Sequence, residues 1–366
     1  MIRRPPRSTL SSSSAASDVY KRQSTSLKTP QDAATQSVSM NESAFTVLSL
    51  ISRLNYDYKG KYLFSFTARR DGSSRFGKAK RWGTFPAGSL GYNISEESFF
   101  EPLRGIFSYL KLKASYGITG NSEIGNYQNE SRYSSAQYNG LNGITLANIA
   151  DDQLGWETST TTNFGISAEL FDGKFRADVD IYDKTTTDLL LPYPVSIVSG
   201  LTQVTTNLGE ISNKGIEFIL GATLVENNDM TWDVEFQYAK NTNKVLSIGD
   251  YPEGINLPGF GTTSIYLGMP IGIQTIPIWK GVDPATGQDM YLEQSTGLSL
   301  TESQAAAQYG SVNNFYQQNL VPYGNPWPDF TGGFSTNFSY QNWSVSALFS
   351  FAVGQDYIAS GENINS

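Results

Sequence analysis

The stretch NFGISAELFDGKFRADVDIY, residues Asn163–Tyr182, carries the pattern that decides the fold. Apolar residues occupy every second position before and after a central turn. These positions are Phe164, Ile166, Ala168 and Leu170, then Phe175, Ala177, Val179 and Ile181. Strict alternation predicts strands with one apolar and one polar face. Asp172-Gly173 between them predicts a tight hairpin, so the two strands should be antiparallel neighbours.

The same alternation recurs along the chain and predicts about ten strands. In chain order they are Thr46–Tyr58, Tyr62–Arg70, Thr84–Ile94, Leu110–Tyr116, Asn163–Leu170, Phe175–Ile181, Ile216–Leu224, Trp232–Tyr238, Phe334–Tyr340 and Trp343–Phe351. The polar faces often carry charge, whereas the opposing faces lack it. A lipid-facing surface requires such a charge-free face, and a water-filled lumen suits the charged one.

Short and long connections alternate between these strands. The short ones are Lys59-Gly60, Asp172-Gly173, Glu226–Asp229 and Gln341-Asn342, and the medium segment SEESFFEPLRG, Ser95–Gly105, falls in the same series. The long ones are Asp71–Gly83, Thr119–Glu157, Thr185–Asn207 and Ser247–Asp329. Antiparallel strands place alternate connections at opposite ends of the sheet. One end therefore carries only the shorter connections, and the other end, which we call the elaborate end, carries the long ones. Outer-membrane barrels have this asymmetry, although a soluble β-sandwich with functional loops at one end remains the alternative.

Aromatic residues cluster near the short turns, where an interfacial girdle would lie. They are Tyr56, Tyr58, Tyr62, Phe171, Phe175, Trp232, Tyr340 and Trp343. The sequence therefore predicts an all-β fold: a transmembrane antiparallel β-barrel, of which this chain supplies part.

Composition excludes several classes of function. Net charge is -8 and the pI about 4.8, which argues against a nucleic-acid partner. The 366 residues include no Cys and no His. Disulfides, thiolate or His-based zinc sites, and Ser-His-Asp or Cys-His catalysis are therefore excluded within this chain. We expect no enzyme activity and no cofactor.

The first residues differ from the rest. MIRRPPRSTLSSSSAASDVYKRQ, residues 1–23, lacks the apolar core of a signal peptide and resembles translated sequencing-adapter sequence. The alternative is a natural Ser-rich disordered leader. Residues 24–43 form a polar lead-in, and residues 44–366 the partial barrel.

Long phrases of the chain resemble the SusC/RagA family of TonB-linked outer-membrane proteins. They are RRDGSSRFGKAKRWGTFPAGSLGYNISEESFF, LKLKASYGITGNSEIGNY, LGWETSTTTNFGISAELFDGKFRADVDIYDKTTTDLLL, NLGEISNKGIEFILGA and PDFTGGFSTNFSYQNWSVSALFSFAVGQD. They follow the family's order, and the resemblance runs from about residue 44 to residue 356.

The resemblance implies a 22-stranded barrel with an N-terminal plug and TonB box. It also implies a SusD-like surface lipoprotein as partner, the TonB complex acting through the plug, and contact with outer-membrane lipid. This chain shows no plug or TonB box, so we expect a fragment incomplete at both ends that does not form a pore alone.

The basic stretch Arg69–Pro86 invites a binding hypothesis. Its cations are Arg69, Arg70, Arg75, Lys78, Lys80 and Arg81, with Phe76 and Trp82 among them. One interpretation is that these cations contact a substrate or a lipopolysaccharide phosphate. The favoured interpretation is structural: Asp71-Gly72 forms a turn, held by Arg–Asp pairs, that fixes the geometry of the loop at the barrel rim.

Other candidates have ordinary explanations. Asp178, Asp180 and Asp183 are interpreted as lumen-facing carboxylates rather than catalytic ones, and Arg53, Lys111, Lys113 and Arg176 as cations facing the lumen and the plug. GVDPATGQDMY, Gly281–Tyr291, resembles a calcium loop only faintly and is interpreted as a turn. No catalytic, cofactor-binding or metal-binding residue is assigned, and the substrate-binding residues stay unknown.

The function expected from this sequence is TonB-dependent import of a large nutrient, an oligosaccharide or oligopeptide, across a Gram-negative outer membrane. The loops Gln137–Trp156 and Ser247–Asp329 would bear on ligand capture. The alternatives are a structural or adhesive outer-membrane barrel that transports nothing, and a soluble carbohydrate-binding β-sandwich.

Overall fold

A computed structural model describes residues 43–138, 141–249, 255–256 and 263–356. The chain divides after Ala44, and Phe45–Ser366 forms one unit, to which the following description applies. Residues 1–23 and nearly all of 24–43 lie outside the described residues, so the expectations for them stay predictions.

Ten antiparallel strands form the main sheet, and their order in the sheet is their order in the chain. They are β1 (Val47–Tyr58), β2 (Tyr62–Ser73), β3 (Trp82–Asn93), β4 (Phe107–Asn121), β5 (Glu157–Leu170), β6 (Phe175–Thr187), β7 (Glu210–Glu226), β8 (Met230–Ser247), β9 (Phe330–Tyr340) and β10 (Trp343–Val353). Each predicted strand is confirmed, and most extend further at the end with the long connections. Within the described residues the sheet is open, with β1 and β10 at its edges.

Strand register keeps the two faces separate across the whole sheet. Phe64 pairs with Leu90, Leu90 with Ala114, and Ala114 with Phe164. Because a slip by one residue would move every side chain to the other face, this register aligns the apolar residues into one surface. We call it the outward face; Phe164 on it is 62% exposed. A soluble sandwich would cover such a face with a second sheet, so its exposure identifies a lipid-facing wall.

The short turns lie together at one end. They span residues 59–61, 171–174, 227–229 and 341–342. Asp172 and Gly173 both have positive φ, at 57° and 83°, which is the twist that tight hairpins require. The predicted hairpin is thus confirmed.

Aromatic side chains surround this end of the sheet. Tyr62 stacks on Tyr92 with ring centroids 5.1 Å apart, and Phe171 contacts Phe175 edge to face at 6.2 Å. All eight predicted girdle residues, Tyr56, Tyr58, Tyr62, Phe171, Phe175, Trp232, Tyr340 and Trp343, are exposed. This is how residues at a membrane interface are arranged.

The long connections contain hairpins and small sheets that the alternation pattern did not predict. Hairpins form from Arg132–Tyr138 with Leu141–Asn148, and from Leu190–Pro194 with Gln203–Asn207. Between β8 and β9 lie a four-stranded sheet (Ile255–Asn256, Thr263–Ile265, Ile273–Pro277, Leu320–Tyr323) and a three-stranded one (Trp279–Val282, Asp289–Leu292, Ser299–Thr301). Their strands have two to five residues, too few for alternation to register.

The helices within residues 43–138, 141–249, 255–256 and 263–356 are few and short. α1 (Glu302–Tyr309) begins at a capping box formed by Thr301 and Gln304, and α2 (Val312–Gln318) follows it. Short 3-10 helices occupy Ile94–Glu96, Ser98–Leu103 and Ile197–Ser199, of one, two and one turn respectively. In the part of the chain that the structure describes, no helix is long and apolar enough to cross a membrane.

Candidate functional site

The elaborate end of the sheet is built around a small buried core, which we call the outer loop core: Phe76, Phe85, Leu154 and Trp156. Phe76 and Leu154 are fully buried. The Trp156 ring lies 5.0 Å from that of Phe76 and 5.3 Å from that of Phe85, in tilted and edge-to-face arrangements. Burying these side chains joins the loop after β2 to the loop before β5.

Hydrogen bonds reinforce the same junction. The Gly77 amide donates to the Leu154 carbonyl at 2.9 Å, and the Trp156 indole N–H donates to the Arg81 carbonyl at 3.0 Å. The Asn129 side chain donates to the Phe76 carbonyl at 3.1 Å. Backbone groups that would otherwise be buried without partners are thereby satisfied.

A third loop is attached through one amide side chain. Asn207 accepts from the Gly155 amide at 2.6 Å and donates to the carbonyls of Gly155 and Asp188, both at 2.9 Å. It lies at the end of the Leu190–Asn207 hairpin, so this hairpin is fixed to the outer loop core. Three of the long connections therefore form one body.

The basic stretch is largely structural. Arg69 Nε lies 2.6 Å from Asp71 Oδ2, and Asp71 is only 3% exposed. Arg75 donates to Asn126 Oδ1 at 2.8 Å and to the Ser122 carbonyl at 3.1 Å. Guanidinium groups also lie over rings, that of Arg75 over Phe45 at 3.9 Å and that of Arg70 over Trp82 at 5.5 Å. Lys78 and Lys80 remain exposed.

The predicted turn at Asp71-Gly72 is wrong. Strand β2 continues through both residues to Ser73, and the reversal follows in residues 74–81. Glycine is required at position 72 because a Cβ there would meet the Trp82 ring at 2.9 Å, and not because its φ is positive.

Charges on the inward face form ion pairs. Lys113 Nζ lies 3.3 Å from Asp178 Oδ1 and 3.1 Å from Asp180 Oδ2. Arg176 lies 3.8 Å from Asp233. Two further cations on this face form no ion pair with the residues that the structure describes: Arg53 donates to Asn55 Oδ1, and Lys111 lies opposite Asn93 and Ser167 in the strand register. These positions agree with the lumen-facing prediction.

The prediction for Asp183 is wrong. It lies three positions after Asp180, an odd offset along a strand, so it is on the outward face with Ile181. Its register partner Lys214 approaches to 2.7 Å. This exposed ion pair marks the level at which the outward face changes from apolar to polar.

The faint calcium loop is a turn. Asp283 accepts from the Ala285 amide at 3.1 Å and from the Thr286 hydroxyl at 2.6 Å, and these donors lower the pKa of its carboxyl, the Thr286 bond most. The described residues contain no group of His, Cys, Asp or Glu able to hold a metal ion.

A second turn, EQSTG at residues 293–297, is similar in sequence to DPATG at residues 283–287, but its acidic residue is buried. Glu293 is 2% exposed and accepts hydrogen bonds from Thr296, and at 2.6 Å each from Tyr309 and Gln308. The Thr296 hydrogen bond contributes most to a lowered pKa of this carboxyl. Glu293 thus ties the three-stranded sheet to α1.

A groove of about 430 Å³ opens beside the outer loop core. Ile149, Tyr193, Val195, Val204 and Leu208 give it an apolar wall, with Asp151, Thr205 and Thr206 at its polar parts. Its volume lies within the range of clefts that bind small ligands. The Gln137–Trp156 side of the groove was predicted from the sequence, whereas the hairpin side was not, because its five-residue strands show no readable alternation.

Comparison with known proteins decides the family. The family model described as TonB dependent receptor-like, beta-barrel, matches residues 8–365. The chain belongs to the TonB-dependent receptor family. Its members and their SusC and RagA relatives are outer-membrane proteins of Gram-negative bacteria, so the outward face of this receptor chain lies in the outer membrane. The relatives are receptors and not enzymes.

Individual relatives are moderately similar. TonB-dependent receptor P39 of Formosa agariphila is 33% identical over 347 residues, which cover 86% of this chain and 33% of that protein. TonB-dependent receptor SusC of Bacteroides thetaiotaomicron is 34% identical over 228 residues, 60% of this chain and 23% of SusC. The solved RagAB peptide transporter superposes with a TM-score of 0.72 at 28% identity, covering 85% of this chain and 34% of that one. The receptor chain thus spans about a third of the length of P39.

Proposed function

We propose that this chain is one section of the wall, with its outer loops, of a receptor that imports a large nutrient across the outer membrane. The observation that carries the proposal is the pairing of a lipid-facing wall with an interlocked loop body that borders an open groove. The likeness to the RagAB peptide transporter and to SusC supports it. An oligosaccharide and an oligopeptide are the two candidate substrate classes.

The remaining parts of the transport cycle would come from outside this chain. A plug inside the complete barrel would face the charged inward surface around Lys113, Asp178 and Asp180 and couple it to TonB. A SusD-like lipoprotein would cover the outer loops. The chain itself would supply binding surface and wall, without chemistry or cofactor.

Uptake by cells that carry the full-length gene tests this proposal. Deleting the gene should abolish uptake of labelled oligosaccharides or of labelled oligopeptides, and loss of TonB should have the same effect. Val204→Arg, which fills the groove, should reduce uptake, whereas Lys78→Ala on the exposed part of the basic stretch should not.

Membrane fractionation must first show that each variant reaches the outer membrane in normal amount. Unchanged uptake of both ligand classes in the deletion strain would refute import. It would favour the non-transporting structural or adhesive barrel.

A further inference from the structure

The connection between β3 and β4 differs from the other turns at its end of the sheet. Residues 94–106, which we call the foot segment, are longer than the other turns and expose three large apolar side chains. Phe99 is 68% exposed, and Leu103 and Ile106 are also exposed. In water, such a patch has no counterpart to pack against.

The foot segment is nevertheless firmly folded. Phe100, next to Phe99, is 3% exposed and contacts Phe107 edge to face at 6.3 Å. Arg104 donates twice to the Ser95 carbonyl, at 3.2 and 3.0 Å. Adjacent phenylalanines are thus held with one side chain inside and the other outside, so the exposure of Phe99 is fixed by the fold.

Charges fasten the segment to the sheet. Glu97 forms an ion pair with Lys61 at 3.0 Å and accepts from the Tyr62 hydroxyl at 2.8 Å. These two donors, Lys61 first, lower the pKa of the Glu97 carboxyl. The foot segment therefore sits directly at the aromatic girdle.

The exposed patch continues the lipid-facing surface. The Phe171 amide donates to the Ile106 carbonyl at 2.9 Å, and Phe171 contacts Phe175, the first outward residue of β6. Ile106 is thereby placed beside the girdle, at the level where headgroups meet acyl chains. Glu96, Glu101 and Arg104 are exposed on the same segment and supply the polar groups that an interfacial element needs.

We propose that the foot segment is an interfacial membrane anchor, in which Phe99, Leu103 and Ile106 insert into the periplasmic phospholipid leaflet of the outer membrane. Short turns of such barrels face the periplasm, which assigns the leaflet. Exposed aromatic and aliphatic residues bordered by charges are favoured at that boundary. The proposal needs the membrane location of the receptor and does not depend on import.

Site-directed spin labelling tests the anchor, because the chain contains no cysteine of its own. Single cysteines at Phe99, Leu103 and Ile106 are labelled in the full-length receptor, with any cysteine elsewhere replaced by serine. Ser98 and Glu101, exposed polar residues of the same segment, serve as matched controls. The receptor is placed in nanodiscs of phosphatidylethanolamine and phosphatidylglycerol.

Collision with oxygen, which concentrates in lipid, is compared with collision with a water-soluble nickel complex. Labels at 99, 103 and 106 should gain oxygen accessibility and lose nickel accessibility relative to 98 and 101. Equal nickel accessibility at all five sites would overturn the proposal. Protection of 99, 103 and 106 from both reagents would also overturn it, because a protein would then cover the patch.

Discussion

Replacing Phe76 with alanine should release the outer loops while leaving the wall intact. The Phe76 side chain is fully buried against Trp156, at 5.0 Å between ring centroids. Truncating a buried phenylalanine to alanine costs about 3–5 kcal/mol. The Trp156 ring against which Phe76 packs precedes β5, and the Phe76 carbonyl accepts from Asn129 in the same loop, so this free energy should be lost from local opening of the outer loop core.

Hydrogen exchange measured by mass spectrometry on the full-length receptor reports that opening. A loss of about 3 kcal/mol corresponds to roughly a hundredfold faster exchange at about 1.4 kcal/mol per tenfold change. We expect this acceleration in peptides covering residues 74–81 and 150–156. Peptides from β5 and β6, which do not depend on Phe76, should exchange as before.

Phe99→Ala is the matched control, since it removes the same side chain from an exposed position. It should leave exchange in the outer loops unchanged. If Phe76→Ala accelerates exchange by less than about fivefold, or accelerates it equally in the strands, the assignment of a local outer loop core is refuted. A fivefold change is only about 1 kcal/mol, well below the cost of truncating a buried phenylalanine.

Three further predictions test other parts of the structure. Phe164→Arg on the outward face should make barrel insertion less favourable by about 2–4 kcal/mol, whereas Asn163→Arg on the inward face should be tolerated. The fraction of folded barrel is measured by heat-modifiability on gels. Equal effects of the two substitutions would contradict the assignment of faces. Gly72→Ala should lower the free energy of unfolding by about 1–3 kcal/mol, because the added Cβ would lie 2.9 Å from the Trp82 ring. In Gly88→Ala the added Cβ would lie 3.8 Å from its nearest neighbour, the Ser65 carbonyl, so thermal unfolding should be nearly unchanged. The pKa of Glu293 is lowered from its ordinary value of 4.5 in the folded protein. The carboxylate therefore stabilises the fold fully above pH 4.5, and this contribution is lost as the pH falls through the lowered pKa. Hydrogen exchange around α1 should rise only under acid conditions, and Glu293→Gln should remove that rise.

The sequence predicted the wall well because two different solvents act on each strand. Lipid on one side and water on the other enforce alternation, as in Phe164 against Asn163, and neither propensity nor packing overrides it. Beyond the lipid this constraint ends. The strand ends therefore ran further than predicted, and Asp71-Gly72 was mistaken for a turn although β2 continues through it.

The candidate site was much less predictable. Trp156 and Phe76 are far apart in sequence, and no local pattern indicates that their rings meet. The strands of the Leu190–Asn207 hairpin are too short for alternation to be read. Asp183 was placed on the wrong face because it was grouped with Asp178 and Asp180, although its position has the opposite parity.

The attachment of three loops to one another bears on how such receptors diversify. Each loop is carried by its own pair of strands, and a gene segment encoding one hairpin could in principle be exchanged alone. Phe76 would then lose the Trp156 against which it packs, and Asn207 the Gly155 backbone that it binds. Functional recombinants between related genes should therefore be those whose breakpoints lie outside residues 74–209, so that the three loops are inherited together.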